Sequence, residues 1–172
     1  VRSAELAMER RLGRSEESML VIQANLTMSY EALGRSEEAL SMRRDVYSGH
    51  LRLWGEEDRD TLLTANNYAS SLVALERFEE AKALMRKTVP VARRVLGEND
   101  ENLLKIRWTC AQSLYEDPAA TPDDLREAVT TLEETARTAR RVLGGAHPLT
   151  EGIEEDLRDA QALRARSPSE SS

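Results

Sequence analysis

A step of 42 residues constrains this chain more than any other feature of its sequence. Leu20 matches Leu62, Asn25 matches Asn67, Leu33 matches Leu75, Glu38-Ala39 matches Glu80-Ala81, and Trp54-Gly55 matches Leu96-Gly97, without a gap. The same step carries Leu62 to Leu104 and Leu72 to Leu114, and carries Trp54-Gly55 back to Leu12-Gly13. A fourth Leu-Gly, Leu143-Gly144, falls 47 residues after Leu96-Gly97, which places an insertion of about five residues in Asp117–Asp123 (DPAATPD). A fixed period of this size marks a repeat array whose units bury their apolar faces only against their neighbours. Function is then expected on a surface that the units share.

Within each period the apolar residues recur at helical spacing and glycine punctuates them. In the second unit Asp60 reads as the cap of a helix from Thr61 to Leu75, and Phe78 to Leu96 reads as its partner before Gly97. A turn as short as Glu76-Arg77 forces the two helices antiparallel. Pro90 lacks the N–H for the Arg86 carbonyl, so a kink or local opening is expected there. Thr121-Pro122-Asp123-Asp124 predicts a helix from about Pro122 to Leu143, and Leu149 to about Arg166 reads as a last helix whose outer face is rich in Glu, Asp and Arg.

The organisation that follows is all-α, a right-handed solenoid of helical hairpins. Residues 1–13 are the second helix of a truncated repeat ending at Gly13; 14–55, 56–97 and 98–144 are repeats 1 to 3, the last with its insertion near 117–123; 145–166 is a C-terminal capping helix; 167–172 (SPSESS) is a disordered tail. Because the chain opens at Val1 inside a repeat, it reads as a piece of a longer protein.

Composition narrows the function. With 40% apolar, 32% charged and 4% aromatic residues the chain suits soluble helices, and a net charge of −7 argues against nucleic acid. No apolar run reaches the roughly 18 residues needed to span a bilayer, and no signal-peptide pattern opens the chain. A single cysteine, Cys110, points to a reducing, cytoplasmic setting.

Catalysis finds no support. His50 and His147 stand apart, no cluster has metal-ligand spacing, and no phosphate loop or nucleophile elbow occurs. Cys110 shares a column with Leu26 and Tyr68 and reads as a packed core thiol. Glu56-Glu57-Asp58 and Glu98-Asn99-Asp100 lack the Gly and distal Glu of a calcium loop. The column Arg10, Arg52, Arg94 and Arg141 ends each second helix, where cations complement the helix dipole. No enzyme, cofactor, metal or small-molecule substrate is expected.

Asn66-Asn67-Tyr68-Ala69, the junction Ala74-Leu75-Glu76-Arg77-Phe78-Glu79-Glu80-Ala81 and the ending Arg93-Arg94-Val95-Leu96-Gly97 resemble the tetratricopeptide repeats of the kinesin-light-chain type, which use a 42-residue unit. His147-Pro148 resembles that family's His-Pro-Asp-Thr-Leu opening, while the earlier units have Asp58-Arg59-Asp60-Thr61-Leu62 and Asp100-Glu101-Asn102-Leu103-Leu104 there. The resemblance runs from about Leu12 to Leu163. It implies a groove, lined by the first helix of each pair, that holds a partner peptide. Carried over by the 42-residue register, the groove column is Asn25, Asn67 and Thr109, with Ala24, Asn66 and Trp108 beside it. Val21, Leu63 and Lys105 lie one turn before it, and Met28, Ser70 and Gln112 one turn after.

An Asn amide donates and accepts, so it can grip a peptide backbone whatever the peptide's side chains. Lys105 suits a carboxylate and Trp108 an aromatic anchor, with Arg107 as a further base. The competing reading has the asparagines bridging helices and Trp108 filling a repeat interface. The expected function is therefore a scaffold that binds a protein or peptide partner. The alternative is a structural spacer, or an array that self-associates through exposed end helices.

Overall fold

The computed structural model of the chain describes residues 2–166, and side chains from residue 11 onward together with Met8. The expected disordered tail lies outside the described residues. Seven helices follow one another among them, with no strand: α1 (Arg2–Ala32), α2 (Ser36–Trp54), α3 (Arg59–Ala74), α4 (Phe78–Leu96), α5 (Glu101–Tyr115), α6 (Pro122–Leu143) and α7 (Pro148–Arg166). Each helix packs on the next. In addition α3 touches α5 and α5 touches α7, whereas α1 and α3 stand apart. First helices thus line up along one side and second helices along the other, which is a helical-hairpin solenoid.

The register explains the shared ends. The cap of α3 is Asp58 rather than the expected Asp60, which lies in the first turn; Asp58 and Asp100, 42 residues apart, cap α3 and α5 by accepting from Thr61 N and Asn102 N. Gly55, Gly97 and Gly144 close α2, α4 and α6 with φ of 82°, 83° and 92°, a conformation open to glycine. Thr121 and Asp124 form a reciprocal capping box at the start of α6. At the equivalent position before α7, His147 substitutes for aspartate: its Nδ1 accepts from Leu149 N at 3.2 Å.

The helix expected to stop at Gly13 does not. The helix runs through Gly13, which is not among the positive-φ glycines, and α1 is a single helix of 31 residues. The physical reason lies three residues on. The register of Asp58 and Asp100 holds Glu16 here, whose longer side chain does not fold back to cap a new helix. Glu16 instead accepts from Arg52 Nη1 on α2 at 3.2 Å. With no cap to start a new helix, the chain continues the old one, and an interior glycine costs only about 1 kcal/mol relative to Ala.

As expected, α4 runs from Phe78 to Leu96 with Pro90 inside it. The ring sits on an exposed face, where water can satisfy the carbonyl it leaves free.

The buried core grows along the chain. The largest cluster joins α5, α6 and α7 through Leu104, Leu114, Leu125, Val129, Leu132 and Ile153. A second joins α3, α4 and α5 through Leu62, Met85, Ala92, Leu103 and Ile106. On α1, by contrast, only Leu20 and Thr27 are buried among the described side chains.

Two charged side chains are buried within this frame. Lys82 sits in the column of Leu40 and Val129, both core residues. Its Nζ donates to Asp117 at 2.7 Å and Glu79 at 2.8 Å, so the first residue of the insertion is bonded to α4. Arg107, expected among the bases of the groove, is 4% exposed and paired with Glu98 and Glu134. It is an internal brace of α5 against α6 and is not available to a surface partner.

The arginine column is likewise engaged. Arg52 reaches Glu16, Arg94 reaches Glu57 and Arg141 reaches Asn99. Arg94 and Arg141 each tie the end of a second helix to the turn before its unit, and Arg52 ties the end of α2 to Glu16 within α1. Arg10 falls outside the described side chains.

Candidate functional site

The ten residues expected to line the groove separate into three environments. Asn25, Met28, Asn67 and Ser70 are exposed on α1 and α3, Met28 at 70%. Leu63 and Asn66 are half-buried on α3, and the Asn66 Oδ1 is buried without a hydrogen-bond partner. The four α5 residues differ. Thr109 is 4% exposed, so the third member of the asparagine column faces the interior. Lys105 is partly exposed and pairs with Glu101 at 2.7 Å.

Trp108 and Gln112 point at α7. The indole Nε1 donates to Asp156 Oδ2 at 2.5 Å and the Gln112 amide donates to the same oxygen at 2.9 Å. A Cβ on Gly152 would lie 2.7 Å from the Trp108 ring, so the glycine is what lets α7 approach it. Of the two readings of Trp108, the packing one describes its surroundings. Burial and the neighbouring Asp156 push the Tyr115 hydroxyl up, and the same two causes raise the Glu116 carboxyl. Asp156 is therefore the polar hub that closes the α5–α7 junction.

At the other end the first helices are open. A cavity of about 350 Å³ lies between α1 and α3, with α2 at its base. Met28 and Ala24 come from α1, Asn67 and Thr64 from α3, and Arg43 and Val46 from α2. The Arg43 guanidinium grips Glu31 through Nε at 3.0 Å and Nη2 at 2.9 Å, and reaches the Asn67 carbonyl through Nη1 at 3.3 Å. A planar fork is suited to this two-sided hold on α1 and α3.

Sequence reasoning missed Arg43 and Glu31, although the signal was present. In the register, Arg43 corresponds to Met85 and Leu132, both 0% exposed, and Glu31 corresponds to Val73 and Tyr115, both buried. An ion pair thus replaces two apolar layers in the first unit only. The apolar plug that fills later units is missing there, and α1 stays off α3.

The remaining chemistry is quiet. Burial pushes the Cys110 thiol up to about 11, which suppresses the thiolate a nucleophile needs. Among the described residues no group of His, Cys, Asp and Glu could hold a metal, and no helix is long and apolar enough to cross a membrane.

Comparison with known proteins agrees with this geometry. A family model described as tetratricopeptide repeat matches residues 61–102, the interval of one period. The fold is shared with a crystal structure of the nearly identical TPR-like repeats of a Podosopora anserina protein named after kinesin light chain. That match has a TM-score of 0.72 at 21% identity and covers 94% of this chain and 74% of that one. BtubC (BKLC) from P. vanneervenii matches with a TM-score of 0.55 at 13% identity, over 99% of this chain and 80% of that one. No curated protein matches the sequence. Residues 61–102 thus match the tetratricopeptide repeat, and the fold of the chain is that of these TPR-like repeat structures.

Proposed function

We propose that this chain is a protein-interaction module that seats a peptide segment of its partner in the cleft between α1 and α3. Tetratricopeptide repeats are general scaffolds for protein–protein contact, which gives the coarse function. The observation that carries the finer reading is the cavity beneath Met28 and Asn67. Its volume lies in the range of ligand pockets, about 300–1,000 Å³.

The chemistry selects a kind of ligand. The exposed Asn67 amide offers a donor and an acceptor to a peptide backbone. Met28, Ala24 and Val46 offer an adaptable apolar seat for one side chain of moderate size. Arg43 already holds Glu31, so it stiffens the cleft and leaves no free cation for an acidic ligand. Asn25 and Ser70, exposed a turn away, extend the polar rail on either side. Trp108, Thr109 and Gln112 take no direct part in this reading, since packing on α7 or the interior occupies them. The spacer alternative draws on that same closure of the α5–α7 end.

Selection of a displayed peptide library on the folded chain supplies the probe. Met28→Glu with Asn67→Ala alters only exposed side chains and should weaken the selected peptides about tenfold or more, the equivalent of 1.4 kcal/mol. Lys105→Glu, on α5, should change affinity by less than about twofold. Equal binding by the wild type and the α1/α3 double variant contradicts the cleft as the seat, and failure to select any ligand favours the spacer.

A further inference from the structure

The two ends of the array are finished differently. On α7 the columns that face the preceding unit stay apolar, with Ile153 and Leu157 in the register of Ile106 and Cys110. The columns a following helix would cover have turned polar: Glu151, Arg158 and Gln161 stand where α5 has Leu104, Ala111 and Leu114, and all three are exposed. The C-terminal end therefore needs no cover.

The N-terminal end keeps its apolar column in the open. Leu12, Met19 and Leu26 recur at steps of seven on α1, with Ile22 three residues after Met19 and Leu33, one step further, just past the helix end. The first three are 59%, 55% and 42% exposed, Ile22 is 52% and Leu33 72% exposed. The third-unit counterparts of Met19 and Ile22, Leu103 and Ile106, are 0% exposed because α4 lies over them. On α1 the stripe from Leu12 to Leu26 is roughly 21 Å long at 1.5 Å per residue. It lies away from Leu20 and Thr27, the residues α1 buries against α2, so it faces no other helix among the described residues.

We propose that this stripe is a homodimer seam, covered by α1 of a second copy in a parallel, two-fold arrangement. Because the C-terminal end is polar, copies have no apolar face there to stack head to tail, and the stripe's apolar match on a second copy is itself. A seven-residue apolar spacing on a long helix is the pattern that pairs with its like, each residue meeting its own counterpart across the axis. Charge agrees with the parallel sense. Arg11, exposed and in no ion pair among the described residues, lies on one flank, and Glu16 lies on the other, five residues on. Parallel pairing brings Arg11 of each copy beside Glu16 of the other. An antiparallel pair gives Arg11 no acid there, since residues 32 to 34 are Ala, Leu and Gly.

The test is sedimentation of the purified chain at micromolar concentration, beside Met19→Glu with Leu26→Glu, whose side chains are exposed within one copy. A wild-type dimer that becomes a monomer at unchanged helical circular dichroism is the expected result. Should the double variant lose helicity, Ser29→Cys decides. Ser29 lies on the seam, and in the parallel dimer its cysteine forms a disulfide across the axis, whereas Glu17→Cys, on the far side of α1, does not. The wild type is the blank, because its one thiol, Cys110, is half-buried on α5, away from α1, and its pKa is raised by burial. A wild-type monomer, a dimer that survives both glutamates with helicity intact, or equal cross-linking at positions 17 and 29 overturns the seam. A monomer in particular hands the stripe to a helix of another protein.

Discussion

Glu76 is the one non-glycine residue with positive φ among those described, at 59°. It fills the turn between α3 and α4 where Gly34, φ 72°, fills the turn between α1 and α2. The surrounding bonds are the same: Arg77 N donates to Leu72 O as Arg35 N donates to Tyr30 O. A left-handed residue with a Cβ costs roughly 1–2 kcal/mol, so Glu76→Gly should raise stability by about 1 kcal/mol once the looser unfolded chain is counted. Urea unfolding reads this as a higher midpoint at unchanged slope. At Lys82 the balance runs the other way. Burial opposes its charge, yet hydrogen bonds to Asp117 and Glu79 outweigh that and raise its pKa, while the bond from Lys82 holds the Asp117 carboxyl low. Asp117→Ala removes the buried partner while Glu79 stays bonded to Lys82, and should cost about 1.5–3 kcal/mol. Because the folded Asp117 pKa is depressed, its contribution is present above the ordinary carboxylate range and fades as pH falls through that range to the folded value. Thermal melts should therefore show the gap between wild type and Asp117→Ala narrowing in acid. Neither residue was legible as it acts. The lysine in a core column was visible, but its acid comes from the insertion, where register gives no guidance.

At the scale of elements, α1 separates the pattern that sequence carries from the one it lacks. The 42-residue step located α2 to α7 because capping side chains recur with it: Asp58, Asp100, the Thr121 box, and His147 with Pro148. Gly13 carried the same sign as Gly55 and Gly97 but lacked the aspartate three residues later, and glycine alone does not end a helix. The sign of one substitution checks this. Gly13→Ala should stabilise by about 1 kcal/mol, since no atom lies within 4 Å of the added Cβ and the backbone is helical. Gly97→Ala, at φ 83°, should destabilise by roughly 1–2 kcal/mol. Loss of stability in Gly13→Ala would restore the two-helix reading. Burial also ranks the helices. With Leu20 and Thr27 as the buried ones among its described side chains, against nine on α5, the segment of α1 from residue 11 onward should exchange its amide hydrogens well before α5 in native-state exchange.

For the whole molecule, one period builds two different ends. The third unit and α7 are closed by Ile153, Trp108 and the Asp156 hub, while the first unit holds an ion pair where later units hold Met85, Leu132, Val73 and Tyr115. The repeat was legible as an average, and the asymmetry lay in departures from it. The groove expectation treated the three first helices as equivalent, so it placed Asn67 and Met28 beside the cavity and also chose Thr109, which the third unit buries. Departure from the register, rather than agreement with it, marked Arg43. The central claim is that a partner peptide sits between α1 and α3. Hydrogen-exchange mass spectrometry with a library-selected peptide tests it most directly: slowed exchange over residues 24–31 and 64–70, with α6 and α7 unchanged, is the predicted result. Slowed exchange confined to α5 through α7 would contradict it.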